Sequence, residues 1–275
     1  MKKKLALILA GTAMAAMVLA GCGEKNNASG EDVKTAESVE DKKTFTVGFD
    51  AEYPPYGYMD ENGEYTGFDL ELAEAVCKLE GWELVKKPLN WDSKDMELNS
   101  GSIDCIWNGF TMNGREDDYT FSTPYVDNSQ VIVVAEKSGI DTLEDLAGKT
   151  VGVQAASAAL DLLQSEEEGG QKKLADTFGA LNEFADYNTA FTELQAGALD
   201  ALAIDVGVAN YQIKSRGEGY KILDETLNTE QYAIGFKKGN QELCDVVNAD
   251  LKKLTEDGTV AKLAEKYEIA DMVTL

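Results

Sequence analysis

Among the side chains that could take part in chemistry, this sequence lacks histidine and contains very few arginines. It contains no histidine, which excludes Ser-His-Asp and Cys-His catalysis, imidazole metal sites and the usual acid–base catalyst near neutral pH. Only two of its 25 basic residues are arginines, Arg115 and Arg216. Because a guanidinium is planar and binds a carboxylate through two parallel hydrogen bonds, a well-placed arginine is a candidate anion-binding residue.

Arg115 and Asp205 each follow an apolar segment that is predicted to be a strand. Arg115 comes after the strand 103–107 and a Thr-Met-Asn-Gly turn, and its alternative role is a surface pair with Glu116 or Asp117. Asp205 directly follows the apolar run ALAI, and its alternative role is the N-cap of the next helix. An ammonium needs anionic or carbonyl acceptors, so Asp205 is a candidate for that role as well.

The charge of the chain limits its partners. Acidic residues outnumber basic ones by 50 to 25, which gives a net charge of −25 at pH 7. Such a charge repels a phosphate backbone and an anionic lipid surface, so neither nucleic acid nor a protein lying flat on a membrane is expected. The simplest role of the acidity is to keep the protein soluble.

The cysteine pattern offers no support for a metal or redox centre. The four cysteines, Cys22, Cys77, Cys105 and Cys244, form no CxxC pair, and no cofactor or metal is expected. Cys77 falls in a helical pattern and Cys105 in an apolar strand, where buried free thiols are common. A disulfide between two of the last three cysteines stays open.

Predicted strands and helices alternate along the chain and place these residues at strand ends. Strands are predicted at 44–49, 82–86, 103–107, 131–135, 150–154, 181–185, 201–204 and 232–236, and helices at 68–80, 94–100, 142–146, 156–164, 189–195, 206–212, 241–253 and 259–267. The order strand–helix–strand–helix–strand occurs at 44–107 and at 150–204, which predicts two α/β lobes with parallel sheets. Ligands of such sheets lie beyond the carboxyl ends of the strands, and a cleft between two lobes can close by a hinge motion.

The N-terminal residues are typical of an export signal. Three lysines precede an apolar run rich in Ala and Leu, which ends in Leu19-Ala20-Gly21-Cys22. This resembles a bacterial lipoprotein signal, in which the cysteine is lipidated and becomes the new N-terminus. We therefore expect residues 1–21 to be a signal peptide, Cys22 to carry the lipid, and the polar segment 22–43 to be a flexible tether. The alternative is a signal anchor, although the run is shorter than a spanning helix requires.

Seven short motifs occur in order along the folded part of the chain. They are Gly48-Phe49-Asp50-Ala51-Glu52-Tyr53-Pro54-Pro55-Tyr56, Gly67-Phe68-Asp69-Leu70-Glu71-Leu72-Ala73, Asn108-Gly109-Phe110-Thr111 with Arg115, Phe121-Ser122-Thr123-Pro124-Tyr125, Gly148-Lys149-Thr150-Val151-Gly152-Val153, Gly197-Ala198-Leu199-Asp200-Ala201 and Asp257-Gly258-Thr259. Together they resemble the polar-amino-acid family of ABC-transporter substrate-binding proteins, solute-binding family 3. Each motif alone is weak, and the specificity comes from their order.

The resemblance implies a fold and a function. The fold is α/β with two Rossmann-like lobes and a hinge, of the type II periplasmic-binding-protein kind. Residues 44–128 and 229–275 would form lobe 1 and residues 129–228 lobe 2, with crossover strands near 125–130 and 227–231. The implied protein is not an enzyme but a monomeric receptor on the outer face of the cell membrane. It would carry a free amino acid to the permease subunits of an ABC importer.

The resemblance also implies ligand contacts. Arg115 would bind the ligand carboxylate, although only four steps separate it from Thr111 where the family commonly has five. Asp205, the Gly109 carbonyl and the Thr111 hydroxyl would bind the ammonium. The backbone N–H groups of Ser157 and Ala158, at a helix N-terminus, would add donors to the carboxylate, unless Ser157 is an ordinary cap. Side-chain selectivity would come from Asp50, Tyr53, Lys94, Asn108, Phe110 and Gln154.

Several of these side chains have alternative positions. Tyr53 could pack on Pro54 or Pro55 instead of on a ligand, and Lys94 could point outward as a surface lysine. Alternation along the strand could turn Trp107 into the core. A sensor or adhesin-like lipoprotein on the same fold is an alternative function. A dehydratase-like enzyme is another, with carboxylates such as Glu52 as its acid or base.

Overall fold

The computed structural model describes residues 39–217 and 219–275. Its strands are β1 (Thr44–Phe49), β2 (Glu52–Tyr53), β3 (Gly57–Met59), β4 (Tyr65–Thr66), β5 (Glu83–Pro88), β6 (Cys105–Ile106), β7 (Tyr119–Phe121), β8 (Val126–Ala135), β9 (Thr150–Gln154), β10 (Ala180–Phe184), β11 (Ala201–Asp205), β12 (Tyr220–Ile222), β13 (Asn228–Tyr232) and β14 (Gly235–Lys237). Its α-helices are α1 (Phe68–Glu80), α2 (Lys94–Ser100), α3 (Ala158–Gln164), α4 (Lys172–Ala175), α5 (Tyr187–Ala196), α6 (Val206–Arg216), α7 (Gln241–Glu256) and α8 (Thr259–Lys266). Short 3₁₀ helices occur at Val39–Asp41, Trp91–Ser93 and Glu144–Leu146.

The strands form two main sheets. The first has the order β5-β1-β6-β14-β7 and, with α1, α2, α7 and α8, makes what we call the first lobe. The second has the order β10-β9-β11-β8-β12, with β13 paired to β8, and with α3, α5 and α6 makes the second lobe. A small sheet, β2-β3-β4, forms no ladder with either main sheet and packs against α1 of the first lobe, to which we assign it. Two α/β lobes are therefore present, as the alternation of elements predicts.

Both main sheets are mixed, so the prediction of parallel sheets is only partly correct. The β1–β5, β1–β6, β9–β10 and β9–β11 pairs are parallel. In contrast, β14 runs antiparallel to β6 and β7, and β8 runs antiparallel to β11, β12 and β13. The antiparallel strands β8 and β14 are the first strands that the chain forms after it passes from one sheet to the other. An antiparallel strand needs no crossover helix to reach its neighbour.

The chain crosses between the sheets twice, next to the paired strands β8 and β13. Their register runs from Asn228 opposite Gln130 to Tyr232 opposite Val126. The predicted single strand 232–236 is wrong, because Tyr232 pairs in the second sheet whereas Gly235 pairs with Ile106 in the first. The apolar run is continuous in sequence, but it changes sheet in its middle.

Helix α1 shows how local sequence positions the first lobe. Most of its apolar residues recur at helical spacing and are buried, whereas Leu79 in the last turn is exposed, and Gly81 ends the helix in the left-handed conformation at φ 71°. Leu70, Leu72 and Val76 are fully buried. Each contributes about 1.5–3 kcal/mol of apolar burial. The helix packs against α7 and α8, so both ends of the chain support the same lobe.

The first described residues pack against the body. Val39 contacts the main core, and Lys42 Nζ lies 2.6 Å from Asp104 Oδ1. The expected tether 22–43 therefore overlaps the folded body at its C-terminal end. The expected signal peptide 1–21, the lipidation site Cys22 and the rest of the tether lie outside the described residues. Within 39–217 and 219–275, no helix has the length and apolar character that crossing a membrane requires.

The three cysteines of the folded body are unpaired. Cys77, Cys105 and Cys244 are all buried and free. Burial raises the pKa of the Cys77 thiol to about 12 and that of Cys244 to about 11. The thiols therefore behave as small apolar side chains, and the question of a disulfide among them is answered for this structure.

Candidate functional site

A small cavity lies between the two lobes, at the carboxyl ends of β6, β9 and β11. Its volume is about 10 Å³, which is room for about one water molecule, so the two lobes are nearly closed on each other here. The first lobe lines it with Tyr53, Trp91, Gly109, Phe110, Thr111 and Arg115, and the second with Gln154, Ser157, Ala158 and Asp205. All but three of the expected ligand residues thus face one space. The exceptions, Asp50, Lys94 and Asn108, are described below.

Arg115 reaches across the cleft instead of pairing with its sequence neighbours. Its Nη2 lies 2.7 Å from Asp161 Oδ2 on α3, and its guanidinium carbon lies 5.1 Å from the centre of the Phe110 ring. The alternative pairing with Glu116 or Asp117 is therefore not observed. Because the Asp161 side chain is 63% exposed, this interlobe pair contributes at most about 1 kcal/mol, and an incoming carboxylate can compete for the guanidinium.

Asp205 ends β11 and is almost fully buried. Its Oδ1 accepts hydrogen bonds from Asn128 Nδ2 at 2.8 Å, Gln130 Nε2 at 2.6 Å and the Tyr232 hydroxyl at 2.6 Å. It occupies the N-cap position of α6, but its side chain makes no capping bond there. Burial raises the pKa of Asp205 above its usual value, which these hydrogen bonds partly offset.

A second buried carboxylate, Glu230, lies beside Asp205. Its Oε1 accepts 2.8 Å hydrogen bonds from Thr111 Oγ1, Asn128 Nδ2 and Gln130 Nε2. Burial, and then the charge of Asp205, raise the pKa of Glu230. Sequence reasoning missed this residue. The alternation of β13 could have found it, because Glu230 and Tyr232 share the buried face of the strand.

Gly109 lines the cavity, and Asp69 holds its backbone in place from the first lobe. The Gly109 N–H donates a 2.6 Å hydrogen bond to Asp69 Oδ2, which also accepts from the Tyr125 hydroxyl at 2.8 Å. Gly109 has φ 56°, and a Cβ there would stand 2.9 Å from the Tyr232 ring and 3.1 Å from the Tyr53 ring. Glycine is therefore required by both the backbone conformation and the close packing of tyrosines.

The second lobe presents a strained turn to the cavity. Ser157 Oγ accepts from Leu160 N at 3.2 Å as the cap of α3 and donates to the Gln154 carbonyl at 2.7 Å. Its hydroxyl is thus used in capping, and Ala158 is the first residue of the helix. Ala156 has a positive φ of 54°, which is unusual for a residue with a Cβ and occurs most often at functional sites.

One end of the cavity is closed by contacts between lobes. Gln154 Nε2 donates a 2.6 Å hydrogen bond to Asp50 Oδ2, and the Asn188 amide donates to Glu52. Burial is the main cause that raises the pKa of Asp50 to about 6. The Asn108 carboxamide is buried without a hydrogen-bond partner among the described residues. Neither Asp50 nor Asn108 lines the cavity.

Lys94 points inward and contacts the second lobe. It is 5% exposed, and its Nζ donates a 3.2 Å hydrogen bond to the Ala156 carbonyl. The ammonium also lies 5.2 Å from the centre of the Trp91 ring. Burial lowers the pKa of Lys94 below its usual value. Trp91, which lines the cavity, was missed because its sequence context is that of a loop.

The aromatic residues divide between cavity and core. Tyr53 lines the cavity, and its ring centre lies 6.0 Å from that of Tyr187 in the second lobe. Trp107 is fully buried against Tyr125, as strand alternation suggested, and does not reach the cavity. Phe110 forms the floor beneath Arg115. The cavity therefore joins an aromatic surface to one cation, Arg115, and one carboxylate, Asp205, with Glu230 behind Thr111 in the adjoining cleft.

Thr111 connects the two charged sides. Its hydroxyl donates to Glu230, and its carbonyl lies 3.5 Å from Arg115 Nη1. The site thus presents a guanidinium and a buried anionic pair around one small residue. A cation and an anion on one cavity are the counter-charges that the carboxylate and the ammonium of a small zwitterion require.

Comparison with known proteins identifies the family of the chain. The model of the bacterial extracellular solute-binding proteins, family 3, matches residues 45–270. The chain is 30% identical over 262 residues to the L-cystine-binding protein TcyJ of Escherichia coli K12, covering 94% of each protein. It is 33% identical over 271 residues to the arginine-binding extracellular protein ArtP of Bacillus subtilis 168, covering 97% of this chain and 98% of that protein.

Solved structures give the same result for the fold. A substrate-binding protein of an ABC uptake transporter from Streptococcus pneumoniae, with bound histidine, matches with a TM-score of 0.80 and 33% identity. The match covers 86% of this chain and 97% of that one. The fold is that of the type II periplasmic-binding proteins, as predicted. The chain belongs to the bacterial extracellular solute-binding proteins, family 3.

Proposed function

We propose that this protein captures an L-α-amino acid in the cavity between its lobes and delivers it to an ABC importer. The observation that carries the proposal is the placement of Arg115 and Asp205 on one cavity, together with Tyr53. An α-amino acid presents a carboxylate and an ammonium a few ångströms apart. A site with a fixed cation and a fixed anion stabilises both groups when the cleft excludes water.

In this proposal Arg115 binds the ligand carboxylate with two parallel hydrogen bonds. The guanidinium now donates to the exposed Asp161, so the ligand would take over or share donors that are already aligned. The backbone N–H groups of Ser157 and Ala158 would add donors from the second lobe. Asp205, the Thr111 hydroxyl oxygen and the Gly109 carbonyl would receive the ammonium, and Tyr53 and Phe110 would cover the aliphatic part.

Selectivity for the ligand side chain would come from the closed end of the cavity. Gln154 lines the cavity there and donates a hydrogen bond to Asp50, and the Asn108 carboxamide is buried without a partner among the described residues. Lys94 also lies at the interface between the lobes, where its ammonium donates to the Ala156 carbonyl. We expect it to contribute to the recognition of the ligand side chain. A polar side chain could exchange the Asp50–Gln154 bond for bonds of its own. This supports a polar amino acid or cystine rather than an aliphatic one.

Delivery requires that the protein stay near its importer. Leu19-Ala20-Gly21-Cys22 supports lipidation at Cys22 and anchoring on the outer face of the cell membrane. The polar segment that follows would serve as a tether up to the first packed residue, Val39. An extracytoplasmic location is consistent with the extracellular family to which the chain belongs. We propose that the receptor acts as a monomer and performs no chemistry on its ligand.

A thermal-shift screen tests the proposal. The full chain, stripped of ligand by unfolding and refolding, is screened against the twenty amino acids and cystine, and a true ligand raises the melting temperature. Arg115→Lys should weaken binding by about 10- to 100-fold, because a lysine cannot form the paired hydrogen bonds. Arg216→Lys is the matched control, since Arg216 lies at the end of α6 and contacts Gln212.

Clear outcomes would refute the proposal. The function is wrong if no amino acid shifts the melting temperature, or if Arg115→Lys and Arg216→Lys bind the ligand equally well. Mass spectrometry of the bound ligand after incubation separates a receptor from an enzyme, because a receptor returns the ligand unchanged. Loss of uptake of that amino acid on deletion of the gene separates transport from a sensory or adhesive role.

A further inference from the structure

Two buried carboxylates share one set of neutral hydrogen-bond donors. Asn128 Nδ2 and Gln130 Nε2 each donate to both Asp205 Oδ1 and Glu230 Oε1, at 2.6–2.8 Å. The Thr111 hydroxyl donates a further hydrogen bond to Glu230, and the Tyr232 hydroxyl donates one to Asp205. None of the ion pairs formed by residues 39–217 and 219–275 includes either carboxylate. Buried carboxylates are normally paired with a cation or keep a proton, so this pair can accept a cation that a ligand brings.

Unpartnered oxygens surround the same pair. Asn128 Oδ1 and Gln130 Oε1 are buried and have no hydrogen-bond partner in the described part of the chain. Each belongs to an amide whose nitrogen donates to both carboxylates. The fully buried Tyr56 hydroxyl is likewise unpartnered and lies within electrostatic range of Asp205 and Glu230. The two amide oxygens are acceptors that lack a donor, and an ammonium, with three N–H donors, can satisfy such acceptors.

We propose that Glu230 is a second anionic residue of the ammonium end of the site, so that the site selects ligands that carry a positively charged amino group. The inference rests on the proposed function. Asp205 lines the inner cavity, whereas Glu230 lines the adjoining outer cleft together with Thr111 and Arg115. Glu230 therefore acts on the ligand mainly through its field and through Thr111, as a positioning residue.

The bond to Thr111 has a defined effect on the hydroxyl. Because Thr111 Oγ1 donates its hydrogen to Glu230, the lone pairs of that oxygen remain for the cavity. The hydroxyl is thus held as an acceptor, which suits an ammonium and disfavours a second carboxylate. Without the charge of Glu230 the hydroxyl could rotate and donate instead, and the distinction would weaken.

Binding should exchange a proton for the ligand cation. Two adjacent buried carboxylates cannot both ionise easily, so the ligand-free pair retains a proton over part of the pH range. The direction of both pKa shifts, upward, agrees with this. When the ammonium enters, its charge compensates the pair and that proton leaves to solvent. A ligand without an amino group leaves the proton in place and binds weakly.

Isothermal titration calorimetry on Glu230→Gln tests the inference. The probe is the amino acid with the largest thermal shift, titrated into the refolded full chain in two buffers of different ionisation enthalpy. We expect an affinity at least about 10-fold weaker, fewer protons released, and an unchanged or higher melting temperature, because a buried charge has been removed. The matched control is Glu183→Gln, an exposed glutamate on β10, which should behave as wild type.

Each outcome decides the question. A merely structural Glu230 would lower the melting temperature on substitution and leave affinity and proton release unchanged, which would overturn the inference. Should Glu230→Gln not fold, Thr111→Val tests the same link, and wild-type affinity in that variant would overturn it. If Glu230→Gln binds like wild type while Arg115→Lys does not, only this inference fails. If wild type binds no amino acid, the proposed function fails with it.

Discussion

Replacing Asp50 by asparagine tests whether the lobes are closed in solution as they are in this structure. Asp50 lies in the first lobe and accepts a hydrogen bond from Gln154 of the second. Its burial depends on that contact, and loss of solvation is the largest cause that raises its pKa from 3.8 to about 6. The hydrogen bonds from Glu52 N–H and Gln154 act in the opposite direction, and the nearby charges of Asp186 and Glu52 add to the rise.

The size of the effect follows from this shift. At about 1.4 kcal/mol per pKa unit, a rise of about two units corresponds to about 3 kcal/mol in the free energy of unfolding. The folded protein binds the proton more tightly than the unfolded chain does. The stabilisation is therefore complete below about pH 4 and is lost as the pH rises through about 6. The asparagine side chain in Asp50→Asn cannot titrate, so the variant lacks this component.

The assay is urea unfolding of the ligand-stripped full chain, followed by tryptophan fluorescence between about pH 4 and about pH 7. Other carboxylates titrate in both proteins, so the quantity that matters is the difference between wild type and Asp50→Asn. We expect this difference to change by up to about 3 kcal/mol across the range, in favour of the variant at higher pH. Parallel curves would refute the reasoning, because they would mean that Asp50 is solvated and the lobes stand apart without ligand.

Two further substitutions probe the cavity walls. Asp161→Asn removes the exposed partner of Arg115. Calorimetry should show that the affinity for the amino acid rises a few-fold, while the free energy of unfolding changes by less than about 1 kcal/mol. A weaker affinity would contradict the competition between Asp161 and the ligand for the guanidinium. Gly109→Ala should destabilise the protein by about 2–4 kcal/mol in urea unfolding, because it combines a positive φ with a Cβ 2.9 Å from the Tyr232 ring. Gly114→Ala, which has φ 78° but open space, should lose only about 1 kcal/mol, and equal losses would show that packing is unimportant at Gly109.

Elements with local signals could be predicted from the sequence. Helix α1 begins and ends where its apolar spacing and Gly81 predict, because amphipathic periodicity and a left-handed cap act within a few residues. Strands β1 and β9 match their predicted bounds for a similar reason. The break between Tyr232 and Gly235 could not be predicted, since all the side chains there are buried and only tertiary pairing separates the two strands.

Some features of the candidate site could likewise be predicted from the sequence, and others could not. Arg115 and Asp205 follow apolar strands, and strand ends are where α/β sheets place ligands, so their position on the cavity could be predicted. Asp161 as the partner of Arg115 could not, because it comes from the other lobe. Lys94 could equally have been a surface residue, and only packing against Trp91 and Ala156 decides its inward direction. The ligand roles of these residues remain predictions.

The position of β14 in the first sheet has a consequence for how the chain is made. This strand lies between β6 and β7, and β7 has no other partner in the described sheet. A growing chain therefore produces β6 and β7, and then the whole second sheet, before the residues that join them exist. Until residues 235–237 emerge, β6 keeps an unpaired edge and β7 has no sheet to enter, which leaves time for mispairing or for capture by a chaperone. Synthesis thus holds the sheet of the first lobe unfinished until the whole second sheet has been made.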